Sequence, residues 1–324
     1  MVEIRYNPLT NDWVMIASHR QNRPQMPKDW CPFCPGSGNV PKEYDVLCYD
    51  NDFPALSNNP PHIDDVETDF FKAQPSYGKC EVILYSPKHT ATLPDLSDEH
   101  VYKLTKLWQE RFNILSQDKK VKYVFIFENR GEAVGVTMPH PHGQIYAYPF
   151  LPKKLELEEF NSKSYMEKTG ECLFCDMLKN EKAQGKRVIF ENKYFTVFLP
   201  FYCEYPYGVY IMSNAHKQDI GDFNDDELKM LGVTIKQVAG MLDALFDMVF
   251  PYMMCMHNAP VNSGSDEKNF HFHIEFFPPM RSEDKIKFNA SSETGAWAHC
   301  NPTAPEEKAI ELRNAYKKYI NSQK

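Results

Sequence analysis

Hydrophobic positions along the chain change period several times, and the changes mark elements. Residues 79–87, "KCEVILYSP", form a short apolar run of strand character that ends just before His89. After Ser97, the apolar residues Val101, Leu104, Leu107, Trp108, Phe112 and Leu115 recur at helical spacing. Asp98 and Glu99 fall in the first turn of that expected helix, where acids offset the helix dipole. A second strand-like run, "VKYVFIF" at 121–127, leads to "MPHPHGQIYAY" at 138–148.

The same order of parts then recurs. A strand is expected at 207–213, "YGVYIMS", followed by His216. A helix starts near Asn224, with Asp225, Asp226 and Glu227 in its first turn and Leu228, Leu231, Ile235, Val238 and Leu242 along one face. "YMMCMH" then reaches His257, and "FHFHIEF" follows at 270–276. Each copy also opens on a C-x-x-C pair, "CPFC" at 31–34 and "CLFC" at 172–175. The pattern predicts an α+β chain built by tandem duplication of one unit, with antiparallel sheets and flanking helices. The expected divisions are a first domain over 1–152, a charged and partly helical linker over 153–171, and a second domain over 172–324. Pro305 followed by acids, with Ala309, Leu312, Tyr316 and Ile320 at helical spacing, predicts a terminal helix.

Composition narrows the class. With 42% apolar residues the chain reads as globular, and with 324 residues it is long enough for about two ordinary domains. A net charge of −8 argues against a polyanion partner, so no nucleic acid is expected; a small phosphorylated ligand needs only a few local cations. No apolar run is long enough to span a bilayer and the opening "MVEIRYNPLTNDW" is polar, so no membrane contact is expected and a cytoplasmic site is. Disulfides are unexpected in that compartment. Four of the nine cysteines form the two C-x-x-C pairs; the other five, at 48, 80, 203, 255 and 300, are expected to be buried thiols.

A histidine follows each pair at the end of a strand, and another comes much later. Cys₂His₂ is a preferred ligand set for tetrahedral zinc. Cys31, Cys34, His89 and His140 make the first candidate site, and Cys172, Cys175, His216 and His271 the second. Four protein ligands close the coordination shell, which predicts structural metals.

In a strand, His140, His142 and Gln144 share a face. With His140 on a metal, His142 is held beside a clamped neighbour, and Pro141 fixes the backbone between them. Gly143 is expected to allow close approach of a bulky ligand. A neutral, oriented imidazole is a competent nucleophile toward phosphorus. Gln144 can hold phosphoryl oxygens but cannot give up a proton at neutral pH, which suits group transfer more than hydrolysis. In the second copy His273 and Glu275 stand at the corresponding positions. A carboxylate there would repel a phosphate, so the second copy is expected to be catalytically silent.

The segments "RYNPLTNDWVMIASHRQNRP" at 5–24, "NDFPAL" at 51–56, "SPKHTATLPDL" at 86–96, "FENRGEAVGVTMPHPHGQI" at 127–145, "MHNAP" at 256–260 and "FHFHIEFFPPMRS" at 270–282 resemble the galactose-1-phosphate uridylyltransferase family of the histidine-triad superfamily. The resemblance spans nearly the whole chain and implies that each half is a histidine-triad-like unit. It implies an enzyme of galactose and carbohydrate metabolism that acts on a nucleotide sugar and a hexose 1-phosphate, and a homodimer. UDP-glucose would leave its uridylyl group on His142, and galactose 1-phosphate would then collect it. By the same resemblance, Gln144 and Thr137 contact the transferred phosphoryl, and Arg20 and Arg23 supply positive charge. Asn51 and Asp52 would lie along the nucleoside, and Asn129 and Gly135 along the phosphates. Lys287 and Phe288, from the second subunit, would meet the nucleotide sugar, and Glu293 the hexose hydroxyls.

Two departures from the family pattern stand out. Some members hold iron as the second metal, and the counterparts of those ligands are Glu158, His257, His271 and His273; those members lack the second C-x-x-C. Both sets are present here and share His271, and the Cys₂His₂ set is favoured because it mirrors the first, which leaves His257 and His273 as supporting or core residues. The glutamine that reads the hexose is replaced here, with His299 at its place. Two alternatives therefore stand beside the uridylyl transfer. One is an ADP-glucose phosphorylase using the same nucleophile, since a relative with this double-zinc pattern moves adenylyl from ADP-glucose to phosphate. The other is a non-catalytic zinc module that binds nucleotides.

Overall fold

A computed structural model describes residues 2–22, 30–136, 138–264 and 267–323. The strands are β1 (Val2–Asn7), β2 (Asp12–Ala17), β3 (Leu47–Asp50), β4 (Ala73–Pro75), β5 (Lys79–Leu84), β6 (Tyr123–Arg130), β7 (His142–Tyr148), β8 (Val188–Glu191), β9 (Phe195–Phe198), β10 (Tyr210–Ser213), β11 (Tyr252–His257), β12 (His273–Phe277), β13 (Met280–Ser282) and β14 (Lys285–Ile286). The helices are α1 (Asp98–Ser116), α2 (Lys153–Thr169), α3 (Leu173–Gln184), α4 (Asp225–Phe246), α5 (Ser291–Ala296) and α6 (Pro305–Ser322).

The two expected sheets are one. Nine antiparallel strands run in the order β3-β5-β7-β6-β11-β12-β10-β9-β8. The halves join where β6 pairs with β11, from Arg130↔Tyr252 to Ile126↔Met256. Outward from that seam the order is the same on both sides: β6-β7-β5-β3 mirrors β11-β12-β10-β9. The duplication read from the sequence is thus visible as a near-twofold sheet.

Both long helices start where the acids predicted. Ser97 accepts from the His100 amide, and Asn224 with Glu227 forms a reciprocal capping box, satisfying amides that open a helix. Helices α1, α4 and α6 cover one face of the sheet. Leu104, Trp108 and Phe112 of α1, Leu231, Ile235 and Leu242 of α4, and Leu312 of α6 share one core with Ile83, Ile126, Ile145, Met256 and Ile274. Burial of each such side chain is worth about 1.5–3 kcal/mol. The expected linker is helix α2, stopped by Gly170 at φ 78°.

The opposite sheet face carries the polar chemistry. Because strand neighbours alternate, Ile145 and Ala147 enter the helical core while His142, Gln144 and Tyr146 face away from it. That face is covered by β2-β1-β4 and the "CPFC" loop in the first half, and by α3 in the second. Among the five remaining cysteines, Cys80 and Cys203 are buried as expected, Cys48 and Cys255 are half-buried, and Cys300 is exposed.

Candidate functional site

The first Cys₂His₂ set comes together from three loops. Cys31 and Cys34 sit on a tight turn in which the Cys34 amide donates to the Cys31 carbonyl. Cys31 Sγ is 3.6 Å from His140 Nδ1; Cys34 Sγ is 3.5 Å from His89 Nδ1 and 3.7 Å from His140 Nδ1. A tetrahedral zinc with bonds of roughly 2.3 Å to sulfur and 2.0–2.1 Å to nitrogen needs edges of about 3.6 Å. Orientation fits as well. His140 Nε2 donates to the Ser86 carbonyl at 2.8 Å, which fixes the proton there and turns the Nδ1 lone pair to the thiols. Burial pushes the His140 imidazole down to about 4, so it is neutral at pH 7.

The second set repeats this with one local change. Cys172 caps α3 and Cys175 lies in its first turn, so the pair opens a helix instead of a loop. Cys175 Sγ lies 3.3 Å from both His216 Nδ1 and His271 Nδ1. His271 Nε2 meets the Ser213 carbonyl at 2.9 Å, the counterpart of His140 on Ser86. Hydrogen bonding from Cys175 first, then from His216 and His271, pulls the Cys172 thiol far below its ordinary range, toward the thiolate a metal requires. Each set offers four donor atoms within 4.8 Å of one another, and each can hold a zinc ion.

His142 follows directly from the first set. Its Nδ1 donates to the His140 carbonyl at 2.8 Å, which leaves the lone pair on Nε2. The ring is half-buried beside a cavity of about 260 Å³ lined by Asn129, Gly131, Val136, Met138 and Pro141 among others. Phe33 of the cysteine turn packs on both His140 and His142, with centroids 6.0 and 6.1 Å apart. Gln144 lies on the same strand face, opposite Phe127 and Val82, and its Oε1 accepts weakly from the Tyr146 hydroxyl at 3.4 Å.

Gly143 has a different reason from the one expected. It faces the helical core, and a Cβ there would lie 2.2 Å from the Tyr85 hydroxyl. The neighbour that demands glycine is a buried tyrosine, not a ligand. That hydroxyl donates to Glu128 at 3.3 Å, as does Tyr252. Burial raises the Glu128 carboxyl to about 7, against the pull of Arg130, which is itself paired bidentately with Asp243 at 2.8 Å. This network lies just beyond the strand expected at 121–127, since β6 runs on to Arg130. Continuing the alternation of Val124 and Ile126 puts Glu128 and Arg130 on the core side.

Other candidate residues are dispersed. Arg20 is half-buried on a short 3₁₀ turn after β2. Asn51 closes a turn by accepting from the Phe53 amide, and Asp52 accepts from the Tyr49 hydroxyl at 2.8 Å. Gly135 sits at φ 81° on the loop between β6 and β7. Arg23 and Thr137 lie outside the described residues. The C-terminal candidates gather on another surface. Lys287 is buried, 3.3 Å from Glu293 and over the Tyr205 ring; His299 Nδ1 is 3.6 Å from Glu204; Phe288 is exposed. None of these four lines the cavity at His142.

The second-half counterpart is closed. His273 Nδ1 donates to the His271 carbonyl at 2.9 Å, as His142 does to His140, but its Nε2 is 3.6 Å from Glu275 and the ring is buried. The alternative iron counterparts do not form one set: His271 stays with the cysteines, in line with the favoured Cys₂His₂ reading, and Glu275 stands beside Glu158, His257 and His273. Register explains this. His273 pairs with His257 across β12 and β11, and Glu275 is two residues further along the same face.

Residues 1–152 match the family described as galactose-1-phosphate uridyl transferase, N-terminal domain, and residues 156–312 match its C-terminal domain. The galactose-1-phosphate uridylyltransferase of Thermotoga maritima is 42% identical over 314 residues, covering 97% of this chain and 98% of that one. A solved uridylyltransferase superposes with a TM-score of 0.90 at 30% identity, over 98% of this chain and 99% of its own. An ADP-glucose phosphorylase from Arabidopsis thaliana, solved with bound ADP-glucose, superposes with a TM-score of 0.74 at 25% identity, over 96% and 97%. On two domain matches in sequence order and a relative of this identity at full length, the chain belongs to the galactose-1-phosphate uridyl transferase family.

Proposed function

We propose that the chain moves a uridylyl group from UDP-glucose to galactose 1-phosphate through a covalent intermediate on His142. The observation that carries this is the tautomer lock: His142 Nδ1 donates to the His140 carbonyl, so Nε2 presents its lone pair next to the cavity. Nε2 attacks the α-phosphorus of UDP-glucose and forms a P–N bond. The bridging P–O bond breaks, and glucose 1-phosphate leaves with the electron pair. A phosphate oxygen of galactose 1-phosphate then attacks the same phosphorus, and His142 departs with its lone pair restored. Neither leaving group needs a proton, which agrees with an amide at position 144.

The remaining roles are assigned with the family pattern. Gln144 and Thr137 hold phosphoryl oxygens, Arg20 and Arg23 neutralise charge, and Asn129 and Gly135 border the phosphates. Asn51 and Asp52 run along the nucleoside. Lys287 and Phe288, delivered by the second subunit of a homodimer, meet the nucleotide sugar; Glu293 binds the hexose hydroxyls, and His299 stands at the hexose-reading position. Zinc occupies both Cys₂His₂ sets, and when bound it fixes the position of His140. Residues 1–152 form the domain with the nucleophile, 153–171 the connecting helix, and 172–324 a structural and substrate-binding domain that is catalytically silent. The enzyme works in the cytoplasm.

Mass spectrometry of the intact protein after mixing with UDP-glucose tests this. One uridylyl adduct per chain is expected, and none on a His142→Gly protein. An adduct only with ADP-glucose transfers the reading to adenylyl chemistry on the same histidine; the Arabidopsis neighbour is named an ADP-glucose phosphorylase. No adduct with either sugar, or labelling that survives His142→Gly, refutes the covalent mechanism.

A further inference from the structure

Helix α2 does more than connect the halves. Lys154 and Glu158, one turn apart on it, both reach across to β11 and β12. Glu158 accepts from His257 Nδ1 at 2.8 Å, and Lys154 Nζ donates to Glu275 at 2.5 Å while lying 4.7 Å from the centre of the Phe277 ring. Glu275 is buried to 2% exposure and also lies 3.5 Å from His257 Nε2 and 3.6 Å from His273 Nε2. Glu158, His257, His273 and Glu275 thus have the spacing of a metal site. The difference from the two cysteine sets is the ammonium. A buried carboxylate needs a positive partner, and at Glu275 a side chain of the protein already provides it.

We propose that Lys154 is the resident cation of this third cluster, standing where a divalent metal would otherwise sit and clamping α2 onto β12. The residues therefore do not fit the iron that the resemblance gives some family members, and no step of the transfer runs through them. The inference is independent of the proposed reaction, because it is read from metal content and not from turnover. The Lys154 side chain is half-exposed, so its replacement opens no buried cavity.

The test is metal analysis of zinc-loaded protein after exposure to excess cobalt(II) and desalting. Wild-type protein and Lys154→Arg should hold about two metal equivalents per chain, and Lys154→Met about three. The added cobalt should lack the thiolate charge-transfer absorption that marks the cysteine sites. If Lys154→Met is unstable, cobalt should restore its urea midpoint, while Lys154→Arg needs none. A tight third equivalent on the wild-type protein overturns the proposal. So does a folded Lys154→Met protein that stays at two, or an instability that cobalt does not relieve.

Discussion

Gly143→Ala is a small change with a large expected cost. The position is not in the left-handed region, so backbone strain plays no part and the penalty is steric. The new Cβ would stand 2.2 Å from the Tyr85 hydroxyl, 3.0 Å from Tyr85 Cζ and 3.0 Å from the Phe127 carbonyl. Phe127 is fixed in the β6–β7 ladder, so Tyr85 must give way. Yet Tyr85 is 1% exposed and packed edge-on against Trp108 at 5.7 Å, so it cannot simply swing into solvent. Overpacking of this kind costs about 1–3 kcal/mol. Moving the hydroxyl off Glu128 forfeits a buried hydrogen bond, another 1–3 kcal/mol or so. The sum is about 2–6 kcal/mol, a large share of an ordinary domain's stability. Tyr85→Phe removes the clashing oxygen and carries only the hydrogen-bond loss. The double variant should therefore cost little more than Tyr85→Phe alone, so the coupling should approach the whole Gly143→Ala penalty, about 2–6 kcal/mol. Urea unfolding of the zinc-saturated proteins measures all three. Wild-type stability of Gly143→Ala, or penalties that simply add, would refute the assignment of glycine to the tyrosine contact.

Two further outcomes separate the halves and the buried acid. Cys31→Ser and Cys172→Ser should each lose about one zinc by elemental analysis, but only Cys31→Ser should lose the uridylyl adduct, because only His140 orients the nucleophile; equal loss in both would remove the distinction between the sites. Glu128 holds its proton more tightly folded than unfolded, about 7 against an ordinary 4.5. Its contribution is thus complete below pH 4.5 and is lost as pH rises to about 7, a decline of about 3 kcal/mol. Glu128→Gln should flatten that part of the stability profile; an unchanged slope across the window would sink the assignment.

Much of the architecture could be read from the chain because it rests on local rules. The periodicity of Val101 to Leu115 and of Leu228 to Leu242, with acids and cap residues before each, suffices to locate α1 and α4. Both Cys₂His₂ sets were legible because thiols and imidazoles have few other reasons to recur in one order. What escaped depends on contacts across the sheet. Nothing local says that β6 and β11 pair to fuse two sheets into one. Nor does sequence order show whether His271 or Glu275 completes the cluster with His257. That follows from the β11–β12 register and from which way each side chain leaves the pleat. Lys154 and Glu158 read as two charges on a polar linker until the helix lays Glu158 onto β11 and Lys154 onto β12.

The two halves share one device and use it differently. In each, a serine carbonyl holds the outer nitrogen of a metal-facing histidine, and that histidine's own carbonyl holds Nδ1 of the histidine two residues on. The lone pair of the second ring is aimed the same way in both copies, so orientation alone does not make a nucleophile. What differs is the surroundings. At His142 the next residue on the face is a neutral amide and the ring is half-buried beside a cavity. At His273 it is Glu275, the ring is buried, and α2 closes the face. Removing Glu275 alone would not recruit the second site, because Lys154 and Glu158 would still cover it. One half can therefore serve as scaffold while keeping the geometry of a catalyst.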